Sequence, residues 1–422
     1  MKKIISILFI FILLLITSCN SKETTTKDST ITTNDLYNYQ VLYDGTTVLT
    51  KYKGNDNDII IPEYIDDKKV VGIASGCYNE NLIINSIYLS KYIKAFNPYA
   101  HYGLTFNNIN IDNDNIYFYV DNNCLVETNT KKVILGNKDG YIPDDIEIIG
   151  SYSYYDINNI NVILKTSILE IESYAYGANL ESIVLNSGLK KLDKYALFLT
   201  NITNINIPSS IELIDINSLG KNINNIELET NDKYELLGNS IVNKKTKELV
   251  IGFNNSIIDS KVVSIGDYAF SFLEGITNIV IPSNVVKIGD YVFLNSSIET
   301  IKLPDEIEEF GNGIFKSSNL KNVILPYGIK EINEEDFYDC KNLEYIVIPY
   351  SVTKINSPFI GCDKLDKLFI KSSKINFKIN GDKTIYNKLK KYYYTSDVNN
   401  VYNDDSLWAL VNGVIYTKDN IY

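Results

Sequence analysis

The sequence predicts a β-rich solenoid, an array of 21–23-residue coils with inserted β-hairpins. Three observations point there. IGDYAF at Ile265–Phe270 returns as IGDYVF at Ile288–Phe293, and between them runs an apolar strand closed by proline, ITNIVIP. Ile-Pro or Leu-Pro recurs at Pro208, Pro282, Pro304, Pro326 and Pro349, the last four spaced by 22, 22 and 23 residues. Six residues after each proline stands an apolar side chain (Ile214, Ile288, Phe310, Ile332, Ile355), and five further on a second one (Leu219, Phe293, Phe315, Phe337, Ile360). A period this constant marks a repeat architecture, in which no unit buries its own apolar face and each neighbour supplies the cover.

The elements follow in chain order. Lys2 and Lys3 precede a thirteen-residue apolar run, residues 4–16, broken only by Ser6. It is too short to span a bilayer comfortably and reads as a signal peptide over residues 1–18. The run ends in Ile16-Thr17-Ser18-Cys19, which resembles the lipobox of bacterial lipoproteins. That resemblance implies cleavage before Cys19 and lipidation of its sulfur, with two or three acyl chains for stable anchoring. The alternative is plain secretion, with Cys19 incidental. Residues 19–37 are polar and threonine-rich, an expected disordered tether. Residues 38–60 read as an N-terminal β-hairpin cap and 61–375 as the array. Upstream of Pro208 the proline drops out but the phase holds, in Ile73…Tyr78, Phe96…His101, Ile149…Tyr154, Ile171…Tyr176 and Leu192…Leu197.

Two insertions, near residues 119–140 and 234–254, repeat one another: NNCLVETNTKKVILG aligns with GNSIVNKKTKELVIG. Each has an apolar strand, a polar turn and a second apolar strand, a hairpin signature. Residues 376–422 hold a short helix expected in KTIYNKLKKYYYT and a partial third hairpin in VNGVIYTKDNIY.

The template I-G-x-x-A-F, a polar spacer, then L-x-x-I-x-I-P-x-x-V resembles the BspA-like (Treponema-type) leucine-rich repeat. GDYAFSFLEGITNIVIPSNVVKIGDYVF and SVTKINSPFIGCDKLDKLFI both carry it, and the likeness covers roughly residues 61–375. The resemblance implies a lipid-anchored, extracytoplasmic protein of the bacterial cell envelope that binds protein or glycan partners. Its expected role is adhesion to host matrix or cell-surface molecules; the alternative is a structural envelope scaffold without a host ligand. A monomer is expected.

Composition narrows the partners. The formal charge of −12 argues against nucleic acid, whose phosphates call for a basic face. No GxSxG elbow, HExxH, P-loop, GxGxxG or Cys/His metal cluster occurs, so the sequence points away from an enzyme, a cofactor and a metal. The single histidine, His101, falls in an apolar repeat slot and reads as a core filler. Cys340 and Cys362 occupy equivalent points on adjacent coils about 5 Å apart, a spacing that permits a disulfide. In the family resembled, cysteine at this slot packs as a small apolar group, so two thiols are expected.

Strand alternation predicts the exposed surface. With Val323 and Leu325 inward, Asn322 and Ile324 point out. The same register sends Ile163, Val184, Asn206, Glu227, Val280, Lys302, Val347 and Phe369 outward, beside a more polar ladder from Asn161 to Tyr345 and Lys367. On the last coils Ile324, Tyr345, Val347 and Phe369 form the expected apolar patch and the candidate ligand-binding residues; the alternative is that the flanking helix-like segment or hairpin covers them.

Overall fold

The structure, a computed structural model, describes residues 31–78, 84–97, 106–158, 161–371, 375–380, 384–396, 406–411 and 414–417. The expected leader, Cys19 and His101 lie outside the described residues.

Each coil of the array runs in extended conformation twice. The strand before the proline slot stacks in parallel on its neighbours: Asn278–Val280 pairs with Thr300–Lys302, and Asn322–Ile324 pairs with Tyr345–Ile348, which pairs with Lys367–Ile370, each in register. These build a proline-side sheet. A two-residue strand ending at the apolar slot before the glycine does the same, as in Ser264–Ile265, Lys287–Ile288 and Glu309–Phe310. These build a glycine-side sheet. Alternation puts Ile279, Val323 and Ile346 inward from one sheet and Ile265, Ile288 and Ile332 from the other, all buried.

The turn between the sheets carries a column of rings. Phe270, Phe293, Phe315 and Phe337 stack successively with centroids 5.6, 5.7 and 5.5 Å apart, and Phe359 follows at 6.0 Å. The last position corrects the sequence register, which placed Ile360 in this slot. The coil from Ile355 is one residue shorter here, and the ring of Phe359 fills the column while Ile360 is only half-buried. In the first half Tyr154 on Tyr176 (5.6 Å), Leu197 and Leu219 fill the same column. Each aromatic run starts on a glycine of a hairpin. A Cβ on Gly136 would lie 2.2 Å from the Tyr154 ring, and one on Gly252 2.0 Å from the Phe270 ring.

The two insertions are three-stranded meanders: Phe118–Asp121, Cys124–Glu127 and Lys132–Leu135, then Tyr234–Leu237, Ser240–Asn243 and Glu248–Ile251. Their third strands run parallel to Ile148–Ile149 and Ser264–Ile265, so both join the glycine-side sheet. One asparagine fastens each. Asn231 Oδ1 accepts from the N–H groups of Lys233 and Tyr234 (2.8 Å each), while Nδ2 donates to the carbonyls of Ser209 and Ile211. Asn115 makes the same four bonds, to Tyr117, Phe118, Ser90 and Ile93.

Both ends depart from the sequence reading. Ile31–Thr33, inside the expected tether, is a strand paired antiparallel with Tyr37–Val41, so the cap begins earlier. At the other end the helix covers only Thr384–Lys388, and Lys390–Tyr394 is a strand parallel to Lys367–Ile370. The sequence of that strand, KKYYY, carries lysines and tyrosines in place of an apolar alternation, which is why the repeat phase does not reveal it as a strand. No helix of the described residues is long and apolar enough to cross a membrane.

Phe315, with a ring above and below, is the test of the column. Phe315→Ala should lower stability by about 3–5 kcal/mol, the cost of a large ring lost from a closed core, measured by equilibrium urea unfolding.

Candidate functional site

The proline-side sheet presents the ladder that alternation predicts. Ile163, Val184, Val280 and Ile324 are exposed, from 48% for Ile324 to 75% for Ile163. Ile60 and Tyr88, whose strands pair in register, extend the same row at the N-terminal end. Beside it the polar row is bonded coil to coil: Ser182 Oγ donates to Asn161 Oδ1 (2.5 Å) and Asn225 Nδ2 to Asn204 Oδ1 (2.7 Å). Bonded to one another, these amide and hydroxyl groups leave Ile163, Val184, Val280 and Ile324 as exposed apolar surface on this face, with exposed Asn206, Glu227 and Lys302 between them.

At the last coils the expected patch is not bare. Ile324 is exposed and Tyr345 half-buried, but Val347 is 2% and Phe369 0% exposed. The strand Lys390–Tyr394 brings Tyr392 against Phe369 (5.2 Å), and Leu407–Val411 continues the sheet from Tyr393–Tyr394. Trp408 then lies over this face, 5.5 Å from Phe369 and 5.2 Å from Tyr394, its Nε1 donating to the Ile370 carbonyl at 3.3 Å. Repeat phase alone did not show that a segment some forty residues on folds back to cover these two side chains.

The cover leaves a second feature at its rim. Tyr327 and Tyr350, each just after a proline, stay exposed. Lys371 donates to the Tyr327 hydroxyl at 2.9 Å and stands over the rings of Tyr327 and Tyr394 at 5.1 and 5.7 Å.

On the opposite flank the array opens a polar cavity of about 480 Å³ across coils 290–380. Its amides are Asn312, Asn333, Asn356 and Asn380; Tyr291 supplies the one ring; Asp290, Glu334, Glu335, Lys354 and Lys378 supply charge. The cavity comes from a break in a second ring column. Tyr268 stacks on Tyr291 at 5.1 Å, both in left-handed backbone (φ 58° and 54°), and each N–H donates to a carbonyl of the next coil. The following slot is Gly313 (φ 62°), where a Cβ would stand 2.4 Å from the Tyr291 ring. One coil further the slot is Glu335, which reaches back to accept from the Tyr291 hydroxyl and pairs with Lys316 at 2.6 Å.

That coil also abandons the left-handed turn. Gly313 N–H therefore lacks its usual carbonyl and donates instead to Asp336 Oδ1 (2.9 Å), while Asn333 N–H donates to Asp336 Oδ2 (2.7 Å). Asp336 is buried where the pattern has Ala269, Val292 and Ile314. Burial pushes its carboxyl up to about 6, against the two backbone bonds that favour the charge. The sequence carried a signal for this site, INEEDF in place of IGDYAF, which counting prolines and apolar slots passes over.

The described cysteines are buried free thiols. Cys340 Sγ donates to the Phe315 carbonyl at 2.9 Å and Cys362 Sγ to the Phe337 carbonyl at 3.0 Å, one coil on. Burial pushes the Cys77 thiol up to about 12 and Cys124 to about 11, which suits packing and opposes nucleophilic use.

Because the Asp336 carboxyl holds its proton to higher pH folded than unfolded, its effect on stability has a definite sign. Below about pH 4 both states are protonated; between pH 4 and 6 the unfolded chain ionises first, and stability falls as pH rises. On lowering pH from 7 to 4, wild type should gain stability relative to Asp336→Ala, by at most roughly 3 kcal/mol. Urea unfolding of both chains at the two pH values measures this; an unchanged difference would contradict it.

Comparison with known proteins bears on the fold and family. Among solved structures, a leucine rich cell surface protein from Faecalibacterium prausnitzii aligns with a TM-score of 0.52 at 19% identity, covering 86% of this chain and 98% of that one. The pneumococcal vaccine antigen PcpA aligns with a TM-score of 0.51 at 18% identity, covering 90% and 97%. At these identities the likeness shows the fold. No curated protein matches. The profile of the BspA type leucine rich repeat region matches in six copies over residues 147–261 and 240–366, more than half of the sequence, and with the stacked coils described above this places the chain in that family.

Proposed function

We propose that this protein is a cell-surface partner-binding module, anchored by lipid at Cys19, that docks a protein on its proline-side sheet and serves adhesion. The observation that carries the reading is the row of exposed Ile163, Val184, Val280 and Ile324 on an otherwise hydrogen-bonded sheet. A rigid row of apolar side chains flanked by satisfied polar groups has the anatomy of a protein interface, and stacked coils hold it without ordering cost on binding. The exposed Tyr327 and Tyr350 add large amphipathic rings of the kind that dominate binding energy. Extracytoplasmic placement is supported by the family and by the surface location named for the Faecalibacterium relative in fold.

Two measurements test this. Immobilised host-matrix and cell-surface proteins should bind the purified chain saturably, and Ile163→Asp with Val184→Asp should weaken binding at least tenfold while leaving the thermal midpoint within a few degrees. A folded chain that binds no member of the panel would favour a spacer or scaffold of the envelope instead. Separately, Cys19→Ala should shift the protein from the membrane fraction to the soluble one and abolish incorporation of labelled fatty acid. Retention in the membrane without label would refute the anchor but not the interface.

A further inference from the structure

The polar cavity lies on the other flank from the proline-side row, and the inference drawn from it goes beyond the protein-binding reading without depending on it. Its coil, Ile332–Phe337, breaks the array's own pattern at four consecutive positions, with Asn333, Glu334, Glu335 and Asp336 where Ile265–Phe270 has Gly, Asp, Tyr and Ala. The pattern it abandons is the one that packs: glycine for close approach, tyrosine for the ring column, alanine for the core. In its place the chain buries a carboxylate and leaves a gap between rings. The coils Ile214–Leu219 (IDINSL) and Ile355–Phe359 (INSPF) also leave the pattern, but of the three the coil Ile332–Phe337 buries a carboxylate in the alanine slot beside the cavity, a local rule broken at a cost to packing.

The chemistry of the gap selects its occupant. Four amides on successive coils, about 4.8 Å apart as stacked strands are, line it; Asn312 Nδ2 donates to Asp290, Asn333 Nδ2 to Asn312 Oδ1 and Asn356 Nδ2 to Glu331, each at a long 3.4 Å, which leaves donor and acceptor capacity for paired hydroxyl groups. Asn356 Oδ1 is buried and accepts no hydrogen bond, an acceptor left without a donor inside the protein. The charges largely cancel: Lys354 is paired with Glu331 at 2.8 Å and Glu335 with Lys316 at 2.6 Å. An anionic ligand would face Asp290 and Glu334, and an apolar peptide would find no apolar anchor beyond one tyrosine ring. Among the described residues no group of His, Cys, Asp and Glu is arranged to hold a metal ion. The volume is within the range of small-ligand sites and the lining is mainly polar with the Tyr291 ring at its wall, which suits a polyhydroxylated ligand. We infer that this cavity is a carbohydrate subsite, taking a neutral sugar residue of a glycan through the Asn312, Asn333, Asn356 and Asn380 amides, with Tyr291 at its wall.

The test is an array of immobilised neutral, amino and acidic glycans probed with the purified chain, with titration of the free oligosaccharide for each hit. Saturable binding confined to neutral glycans is expected. The variant Asn333→Gly, Glu334→Asp, Glu335→Tyr, Asp336→Ala restores the internal pattern; it should melt no lower than wild type and lose glycan binding at least tenfold. Asn356→Ala, which leaves the coil as it is, should weaken binding severalfold, and it decides the matter if the fourfold variant does not fold. Protein binding through the proline-side row should be unchanged in both. Absence of glycan binding, binding of charged glycans only, or wild-type binding by the restored or Asn356→Ala chain would overturn the inference.

Discussion

The structure depends on one contact, the stacking of a large side chain in each coil on its equivalent in the next. Phe293, Phe315 and Phe337 have no exposed surface, and each lies between the rings of the coil before and the coil after it. The period follows from this. A coil may lose a residue, as the one from Ile355 does, provided a ring still reaches the column, and Phe359 rather than Ile360 meets that condition. The ends follow too. A column must begin and stop on something, and Gly136, Gly252 and the Tyr386 ring (6.0 Å from Phe359) are the surfaces that close it.

The same one-coil offset organises the charges. Lys191 pairs with Glu170, Lys287 with Glu309 and Lys354 with Glu331, each across adjacent coils at 2.7–2.8 Å. Exposed pairs of this kind contribute about 0–1 kcal/mol each, so they do not hold the array together. Their effect is to keep like charges off neighbouring rungs of the glycine-side sheet in a chain whose formal charge is −12. On the proline-side sheet the corresponding pair, Lys321 with Glu299 at 2.6 Å, stands at the edge of the strands rather than in the row of Val280 and Ile324. The two faces therefore differ, one laced by ion pairs and the other carrying exposed apolar side chains, although both are built by the same repeat.

Function enters where the repeat is broken. Alternation placed Ile163, Val184, Val280 and Ile324 outward correctly, because a side chain on a strand can only face in or out. It failed at Val347 and Phe369, whose direction was right but whose exposure depended on Trp408 and Tyr392, residues outside any repeat phase. The cavity was legible in principle, since Asn333–Asp336 departs from the pattern at every position. What was missing was the consequence of the departure: that dropping a left-handed turn at Glu335 would leave the Gly313 N–H needing the Asp336 carboxylate, and would open the space beside Tyr291.

The sequence by itself determined the class of fold, the register of the coils up to Phe337, the positions of the twin insertions and the family resemblance, because those rest on periodicity, and a period is a property of the order of residues. Only the tertiary structure decided which outward side chains are free. Burial in a solenoid is set by whatever lies on the next coil or folds back over the end, and a strand that covers Phe369 carries no mark of its target. For the same reason the ring column's gap became a cavity only once five coils, from Asp290 to Asn380, were stacked, since empty space belongs to no single stretch of chain.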